Sequence, residues 1–354
     1  MQILLTEKPS GNAYIESLMN AYKAAGHSVF GDVSNFFHSN IVPDVLHIHW
    51  PERLHEWYPH KGTLADNWVT VIESRLKWYK DNNVTIVHTV HNLGPHEAHE
   101  TASKDAFSLV IDYADIIVHH CANSISLVND VFPASRNKKN IVCPHGDYLI
   151  NYRPVDRLEA RRRLGLPEDR IIVLNFGRQR PYKNERFVLS AFSKVTFPTK
   201  YLLIAGDFLY PAPGTWRRLM LRLRNHIRGV VPRKTIKFIY KNFSDAGLAD
   251  IVSAADILFL GQQRALNSGV LALAATFSRP VVFPEIGCFG EAMGGWWGES
   301  FEAGNAAAAA GKLDRMCQEV ANDGPGNRPG NAAWLERNSW KSHADNILRS
   351  IGRG

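Results

Sequence analysis

The stretch IIVLNFGRQRPYKNERFVLSAFSKV, residues 171–195, decides the fold of this chain. An apolar, strand-like run ends at Gly177, and a short loop then carries the cations Arg178, Arg180 and Lys183 before a helical pattern begins. α/β proteins bind phosphate at such junctions, because the amide groups of a helix start and a bare glycine backbone meet fixed positive charge there. The stretch therefore predicts an α/β sheet with a phosphate-binding junction.

Short β-rich segments alternate with helical patterns on both sides of this junction. Before residue 144 the segments are QILLT, VLHIHW, VTIVHTV, DIIVHH and NIVC, and after residue 170 they are IIVLNF, YLLIAG, TIKFIY, DILFL and PVVFP. Apolar residues at helical spacing lie between them, for example Trp68, Ile72, Leu76 and Tyr79. Such alternation predicts parallel sheets with helices on both faces. The predicted fold class is α/β, with two Rossmann-like domains facing each other across a cleft.

The domain boundaries follow from where the alternation pauses. Turn residues and charged residues replace strands over residues 144–170, which predicts a linker. We expect one domain in residues 1–150 and a second in residues 151–335. Residues 336–354 are expected to form a C-terminal helix that can pack back on the first domain, because an amphipathic pattern includes Trp334, Leu335, Ala344, Ile347, Leu348 and Ile351.

Composition limits the partners and the compartment. The 354 residues suit two domains, and 41 Lys and Arg against 34 Asp and Glu give a charge of +7, which favours anionic partners. The four cysteines form no CxxC pair, so a cysteine-rich metal site is not expected. The opening MQILLTEKPSGN lacks the features of a signal peptide, and no run of about 18 apolar residues appears. A cytoplasmic protein is therefore expected.

A second junction of the same type lies in DILFLGQQRALNSGVLALAATFSRPVVFP, residues 256–284. Asn267 and Ser268 suit a helix N-cap, and Gly269 allows a ligand to approach the first turn. Both helix starts should lie at the carboxyl ends of parallel strands, where open α/β sheets bind ligands. Together with the cations of the first junction they predict a diphosphate site.

The order of these pieces resembles the GT-B glycosyltransferases, in particular glycosyltransferase family 4 of bacterial polysaccharide assembly. The matching pieces are IVCPHGDY, LNFGRQRPYKN, YLLIAG, AADILFLGQQRALNSGVLALAATFSRPVV and PEIGCFGEAMGG. The resemblance implies a nucleotide-diphosphate sugar as co-substrate, with no bound metal and no other cofactor. It also implies that the donor diphosphate is held by Gly177, Arg178, Lys183, Ser268 and Gly269.

One departure from the family concerns a pair of glutamates. Many members carry a Glu-x7-Glu pair around this helix start, and its two positions fall here on Leu266 and Ala274. Either the ribose is held differently, or the chemistry is not the retaining chemistry usual in the family. Glu285 and Glu291 are the nearest remaining carboxylates, and Glu291 is the predicted donor contact. A solvated loop glutamate is the alternative for each.

In the first domain, the loop after VTIVHTV is expected to reach the acceptor. His91 ends its strand on the side shared with Thr89, so it is placed to reach a sugar hydroxyl. His91, His96 and Glu97 are candidate bases for an inverting transfer, and we predict His91 and Glu97 as the catalytic residues. In a retaining transfer the donor phosphate can take the proton instead, and His91 then only hydrogen-bonds the sugar.

Two earlier loops are expected to contact the acceptor. His49 and Trp50 follow a strand, and the flat apolar surface of Trp50 suits a sugar ring. Gly11 and Asn12 follow the first strand, in a turn that by resemblance lines the cleft. The segment HEAHE, residues 96–100, spaces its histidines by three rather than by the four of HExxH, so no metal is expected.

The segment TWRRLMLRLRNHIRGVVPRK, residues 215–234, concentrates the positive charge. Leu219, Leu223 and Ile227 form one stripe, and arginines surround it. Two interpretations stay open. The segment is either a basic amphipathic helix on an anionic membrane, as a polyprenyl-diphosphate-linked acceptor requires, or an ordinary surface helix of the second domain. No nucleic-acid-binding motif accompanies the arginines, so nucleic acid is not an expected partner.

The sequence as a whole predicts a metal-independent glycosyltransferase that moves a hexose from GDP-mannose or a UDP-sugar to a glycan acceptor in polysaccharide biosynthesis. With a lipid-linked acceptor, the enzyme is expected at the inner face of the plasma membrane. Tyr240 and Phe243 follow a strand of the second domain and are candidates for stacking on the nucleobase. Two alternatives remain open. One is a sugar-nucleotide epimerase or hydrolase, and the other is a non-catalytic protein that binds a glycan or a partner enzyme.

Overall fold

The computed structural model describes residues 1–57, 68–94, 101–208, 215–230, 234–294, 296–326 and 330–352. The chain divides into two compact units. The first unit comprises Met1–Gly146 together with Glu336–Gly354, and the second comprises Asp147–Leu335. Each unit contains a six-stranded parallel sheet with helices along it, which confirms the predicted α/β fold class.

The strands of the first unit are β1 (Gln2–Leu5), β2 (Ser28–Gly31), β3 (Val45–Ile48), β4 (Thr85–Thr89), β5 (Ile116–His119) and β6 (Lys139–Val142). Their order in the sheet is β2-β1-β3-β4-β5-β6, and neighbouring strands run parallel. All residues of the inner strands β3 and β5 are buried. Burial on both faces is what a parallel sheet between two helical layers requires.

The helices of the first unit are α1 (Ala13–Ala24), α2 (Val33–His38), α3 (Pro51–Trp57), α4 (Trp68–Asp81), α5 (Thr101–Tyr113), α6 (Asn123–Val131) and α15 (Trp340–Ile351). Ile3 packs with α1 and α15, and its neighbour Leu4 packs with α2 and α4. Successive strand residues point to opposite faces, so the sheet has a separate apolar core on each side. Trp340 belongs to the first of these cores.

The strands of the second unit are β7 (Ile171–Phe176), β8 (Lys200–Ala205), β9 (Ile236–Ile239), β10 (Ile257–Phe259), β11 (Val281–Pro284) and β12 (Gly298–Phe301). Their order is β12-β11-β10-β7-β8-β9, and again neighbouring strands run parallel. The strand β7, which opens the stretch that decided the fold, lies at the centre of this sheet.

The helices of the second unit are α7 (Arg157–Leu164), α8 (Glu185–Lys194), α9 (Trp216–Val230), α10 (Asp245–Ala254), α11 (Gly269–Thr276), α12 (Phe289–Ala292), α13 (Ala306–Asp323) and α14 (Asn331–Arg337). Residues of α7, α10, α11 and α14 pack on one face of the sheet, and residues of α8 and α13 pack on the other. Among the helices that the structure describes, none combines the length and the apolar character needed to span a bilayer.

The sequence predictions omit two strands, β2 and β12, and both lie at the edge of a sheet. In β2 no residue is fully buried, and in β12 only Phe301 is. Each contains a glycine, Gly31 in β2 and Gly298 in β12, and glycine is depleted in strands, so the strand signal of these four-residue segments is weak.

The apolar pattern expected to form one C-terminal helix is divided between α14 and α15. The side chain of Ser339 accepts a hydrogen bond from the amide of Ser342 at 3.2 Å and so caps α15. The side chain of Asn338 donates to the carbonyl of His145 at 3.1 Å. These local polar contacts end one helix and begin another, as side chains of this type do at N-caps.

A fully buried carboxylate joins three parts of the second unit. Asp256 accepts hydrogen bonds from Arg157 at 2.9 Å, from the amide of Ile172 at 2.7 Å and from the guanidinium of Arg161. Arg161 is itself buried and donates to the carbonyl of Ala254 at 2.9 Å. Because each charge is paired and hydrogen-bonded, the pair can exist in the core.

Candidate functional site

The strand order of the second unit reverses between β7 and β10. The next two strands in sequence, β8 and β9, lie on one side of β7, and β10, β11 and β12 lie on the other. Such a switch point opens a crevice at the carboxyl ends of the strands, and ligands of open parallel sheets bind there. The loops that border this switch point are residues 177–184 and residues 260–268. Both contain a junction predicted from the sequence.

Gly177 brings these two loops together. Its φ is +114°, a backbone conformation that L side chains rarely adopt. A Cβ atom added to it would lie 3.2 Å from Nζ of Lys183 and 4.0 Å from Cγ2 of Val270. Val270 belongs to the first turn of α11, so the glycine, the lysine and a helix start lie around one point.

The ammonium group of Lys183 is buried without an anion. The residue is 7% exposed, and its Nζ makes no hydrogen bond or ion pair with any residue that the structure describes. Burial, and then the nearby guanidinium of Arg180, lowers the pKa of Lys183 to about 8. An unpaired buried cation is costly, so binding of an anion beside it would be favourable and would raise its pKa.

The two arginines of the same loop differ in their partners. Nε of Arg178 donates to Oδ2 of Asp207 at 3.1 Å, and its side chain is half exposed. The guanidinium of Arg180 has no hydrogen bond or ion pair with a described residue, and it is close enough to Lys183 to lower the pKa of that lysine. The family motif assigns Arg178 to the donor, whereas the geometry makes Arg180 the more available cation.

The loop after β10 ends in the N-cap of α11. Ser268 is extended, with φ −147°, and its hydroxyl makes no capping hydrogen bond. The hydroxyl and the first amide groups of the helix are therefore available to a ligand, with Asn267 just before them.

Gln262, in the same loop, was not predicted. Its side chain is buried, and Oε1 has no hydrogen-bond partner among the described residues. The sequence pattern that could have predicted Gln262 is an amide side chain placed between the end of a strand and the N-cap of a helix.

Tyr240, which was predicted to stack on the nucleobase, is hydrogen-bonded through its hydroxyl to Glu185 and Arg228. Its hydroxyl donates to Glu185 and accepts from Arg228 at 3.2 Å. Burial, and then the Glu185 carboxylate, raises its pKa above the ordinary value. Phe243 lies 6.3 Å from the ring of Phe176, the residue before the glycine of the first junction.

The positions of the family's glutamate pair belong to the interior here. Leu266 and Ala274 are both buried, and Ala274 lies in the core beside the sheet. A carboxylate at either position would be desolvated, which explains why apolar residues suit this chain. Glu291 lies exposed in α12, and its contact with the donor stays a prediction.

The first unit has its own switch point, between β1 and β3. The loop after β1 contains Gly11, whose φ is +80°, with open space around its Cα. Asn12 caps α1, because its side chain accepts from the amide of Tyr14 at 3.2 Å. The loop after β3 contains His49 and Trp50. All four predicted acceptor residues therefore border the place where this sheet should bind a ligand.

His49, Trp50 and His91 form one cluster. Nδ1 of His49 and Nε2 of His91 are hydrogen-bonded at 3.1 Å, and the ring of Trp50 is stacked on His91. On the same side of the sheet, Nε2 of His47 bonds Oγ1 of Thr89 at 2.8 Å. Strand alternation predicts that Thr89 and His91 share a side, and the two hydrogen bonds agree with it.

Tyr14, absent from the predicted site, extends this cluster. Its ring lies 4.8 Å from that of His91 and 5.1 Å from that of His145. Its hydroxyl bonds Nε2 of His343 at 3.2 Å. Nδ1 of His343 must donate to the carbonyl of Pro144, at 2.8 Å, so Nε2 accepts from the tyrosine. No local pattern links residue 14 with residue 343, so only the fold reveals this contact.

The histidines of the cluster are neutral at pH 7. Burial, and then the neighbouring imidazoles, holds the pKa of His49 and of His91 well below the ordinary value. Burial is also the main reason why the pKa of His145 is lowered to about 4 and those of His120 and His343 to about 3. A neutral imidazole can accept a proton or a hydrogen bond from a hydroxyl, which a protonated one cannot.

One carboxylate near this cluster was not predicted, and one predicted carboxylate lies outside the described residues. Glu7, buried just after β1, accepts a hydrogen bond from Arg53 at 2.7 Å, and that guanidinium lies 5.0 Å from the ring centroid of Trp50. The sequence pattern that could have predicted Glu7 is a glutamate placed directly after a strand. Glu97 and His96 fall in residues 95–100, which the structure does not describe.

Within the described part of the chain, no three or more His, Cys, Asp or Glu side chains are arranged to hold a metal ion. Independence from metal stays a prediction.

Comparison with known proteins adds relatives in sequence. No family model matches the chain. It is 26% identical to the GDP-mannose:glycolipid 4-beta-D-mannosyltransferase of Xanthomonas campestris pv. campestris, over 98% of this chain and 92% of that protein. It is 25% identical to the D-inositol 3-phosphate glycosyltransferase of Rhodococcus erythropolis, over 75% of this chain and 62% of that protein.

Comparison with solved structures adds neighbours in fold. The sucrose-phosphate synthase of Thermosynechococcus elongatus gives a TM-score of 0.73 at 16% identity, over 99% of this chain and 98% of that one. Anabaena HepE in complex with UDP and glucose gives 0.71 at 15% identity, over 99% of each chain. The fold is therefore GT-B, and the sequence relatives confirm the predicted enzyme class. The chain is a glycosyltransferase with the GT-B fold, consistent with the predicted resemblance to family 4.

Proposed function

We propose that this glycosyltransferase moves a hexose from a nucleotide-diphosphate sugar to a lipid-linked glycan acceptor. The observation that carries the donor half is the buried ammonium of Lys183, which has no anionic partner among the described residues. GDP-mannose is the leading donor, because the relative that matches 98% of this chain is a GDP-mannose:glycolipid mannosyltransferase. A UDP-sugar is the second candidate, since HepE was solved with UDP and glucose.

In this proposal the second unit binds the donor diphosphate. Lys183 and Arg180 supply positive charge, and the first amide groups of α11, after Ser268, donate to phosphate oxygens. The bare backbone of Gly177 leaves room beside the ammonium. As the glycosidic bond breaks, negative charge grows on the leaving diphosphate, and these fixed donors stabilise it. The other proposed donor contacts are Arg178, Tyr240, Asn267, Gly269 and Glu291.

The first unit binds the acceptor in the same proposal. Trp50 presents an aromatic ring suited to a sugar face, and neutral His91 is stacked on it. His91 takes the proton of the attacking hydroxyl, or orients that hydroxyl while the donor phosphate takes the proton. Glu97 is the other candidate base. The remaining proposed acceptor contacts are Gly11, Asn12 and His49.

The donor site is tested by calorimetric titration of GDP and of UDP, each with and without Mg²⁺. The proteins are wild type, Lys183→Ala and the control Lys194→Ala, which removes an exposed lysine from the last turn of α8. We expect one nucleotide to bind without Mg²⁺. A hydrogen bond to a charged group contributes about 1.5–3 kcal/mol, so Lys183→Ala should weaken binding roughly tenfold or more. Lys194→Ala should leave it unchanged.

Three results would contradict the proposal. If wild type binds neither nucleotide, or if Lys183→Ala binds as wild type does, the diphosphate assignment is wrong. Binding that appears only with Mg²⁺ would contradict the metal-independent mechanism.

A further inference from the structure

The apolar face of α9 points into solvent. Its members recur at spacings of three and four residues, which places them on one side of the helix. Their exposed fractions lie between 44% and 77%, and they are Trp216, Leu219, Met220, Leu223 and Ile227. A surface helix ordinarily turns such a stripe toward the core. We call these five residues the α9 stripe.

The opposite face of α9 holds the helix to the second unit through polar contacts. This face carries, at the same helical spacing, the less exposed residues Arg218, Leu221, Asn225 and Arg228. Arg228 is ion-paired with Glu185 and donates to the hydroxyl of Tyr240 at 3.2 Å. Turning the α9 stripe inward would break this ion pair and bury arginines. The outward direction of the stripe is therefore built into the packing.

Positive charge borders the α9 stripe on both sides. Arg217 and Arg224, seven residues apart, lie along one edge, and Arg222 lies along the other; all three are exposed. The sequence of α9 contains no acidic residue. An exposed apolar stripe with arginines on both edges is the pattern of a helix that lies in the plane of an anionic membrane surface.

We infer that α9 docks the protein on a bilayer with anionic headgroups, with the α9 stripe inserted and the arginines on the headgroups. A second copy of the chain fits less well, because a symmetric contact would bring arginines face to face with no acidic residue on the helix to pair with them. Nucleic acid fits less well too, because phosphate contacts would leave five apolar side chains in water.

This inference rests on the proposed function in one respect, which is that the membrane supplies a lipid-linked acceptor. The two can fail separately. The α9 stripe is tested by binding to vesicles, and the donor site is tested by nucleotide titration in solution.

The test is cosedimentation of the full chain with vesicles of phosphatidylcholine alone and of equal parts phosphatidylcholine and phosphatidylglycerol. We expect binding to the anionic vesicles that weakens as salt is added. Leu223→Asp, in the stripe, should weaken binding roughly tenfold or more, and Arg222→Glu by about fivefold or more. The controls are Ile150→Asp, at another exposed aliphatic residue, and Lys194→Glu, at another exposed cation. Both should bind as wild type does.

Each variant is also titrated with the nucleotide that wild type binds, and unchanged affinity shows that it is folded. Equal sedimentation of wild type and Leu223→Asp with anionic vesicles would overturn the inference, as would equal binding to neutral vesicles. A wild-type dimer that Leu223→Asp converts to a monomer, without vesicle binding, would assign the stripe to self-association. Salt-sensitive binding to RNA but not to vesicles would assign the arginines to nucleic acid.

Discussion

The indole of Trp50 is stacked on the imidazole of His91, with ring centroids 4.3 Å apart and planes 14° apart. Trp50 follows β3 and His91 follows β4, so the stack joins the ends of two neighbouring strands. The hydrogen bond between His91 and His49 fixes the ring further. A side chain held in this way meets the geometric requirement for acid–base work, since its position is set before the substrate arrives.

Replacing His91 by Gln should lower kcat by about 10²–10⁴-fold if the imidazole takes the acceptor proton. Nucleotide affinity should not change, because His91 belongs to the first unit. The matched control is His38→Gln, at an exposed histidine of α2. Steady-state kinetics with an acceptor series distinguishes the roles. A fall in kcat below tenfold with a raised acceptor KM would leave His91 with orientation alone.

Stability should fall as the pH drops below about 6.5. The folded pKa values of His120, His145 and His343 lie at about 3 to 4, so the unfolded chain binds more protons there than the folded chain does. Their contribution is fully present above the unfolded pKa and is lost as the pH falls toward the folded values. Each histidine can contribute up to about 1.4 kcal/mol per pH unit.

Urea unfolding between pH 7.5 and pH 5 measures this dependence. His343→Gln should reduce the slope of the unfolding free energy against pH by about one proton, although it also removes the contact with Tyr14. An unfolding free energy that stays constant over this range would contradict the neutral state of the cluster.

Gly177→Ala should affect both stability and donor binding. A residue with a side chain is strained at φ +114°, which costs on the order of 1–3 kcal/mol, and the added Cβ would crowd Nζ of Lys183. Gly311→Ala is the control, because that glycine lies within α13 with open space around it. Alanine there should stabilise by about 0.5–1 kcal/mol. Thermal unfolding measures the effect on stability, and nucleotide titration measures the effect on donor binding. Equal nucleotide affinity in wild type and Gly177→Ala would place the diphosphate elsewhere.

Arg180→Ala should weaken nucleotide binding more than Arg178→Ala does. The Arg178 guanidinium is ion-paired with Asp207, whereas Arg180 has no such partner among the described residues. Asp207→Asn should strengthen binding slightly if Arg178 can then turn to the diphosphate. Titration of the three variants side by side makes the comparison. The reverse order of the two arginine variants would favour the family's assignment of Arg178.

Asp256→Asn should destabilise the second unit by about 3–5 kcal/mol, because it leaves the buried guanidinium of Arg161 without its counter-charge. The control is Asp345→Asn, which removes an exposed ion pair with Lys341 and should cost at most about 1 kcal/mol. Chemical denaturation measures both. Similar losses for the two variants would mean that the buried pair contributes no more than the exposed one.

The sequence was informative where one local pattern carries the signal. The inner strands, the junction at Gly177 and the N-cap at Ser268 each depend on residues close together in the chain, and the structure has them in the expected elements. The strands β2 and β12 were missed because each is only four residues long and contains a glycine, which weakens the strand signal.

Contacts between distant residues could not be predicted in this way. Arg178 follows β7 whereas Asp207 follows β8, and His343 is far in sequence from Tyr14. No pattern of neighbouring residues therefore indicates either contact. The direction of the α9 stripe is a similar case. Periodicity shows that Leu219, Leu223 and Ile227 share a face, but only the ion pair of Arg228 decides which way that face points.

The order of the two units along the chain also bears on how the protein is made. Residues 147–335 form the second unit without interruption, so this unit can fold as soon as it leaves the ribosome. The first unit takes Trp340 and the rest of α15 into the core beside α1, so its core stays open until α15 has been synthesised. Of the two units, the one whose synthesis begins first is thus completed last, and during that interval its exposed apolar surface needs protection from aggregation.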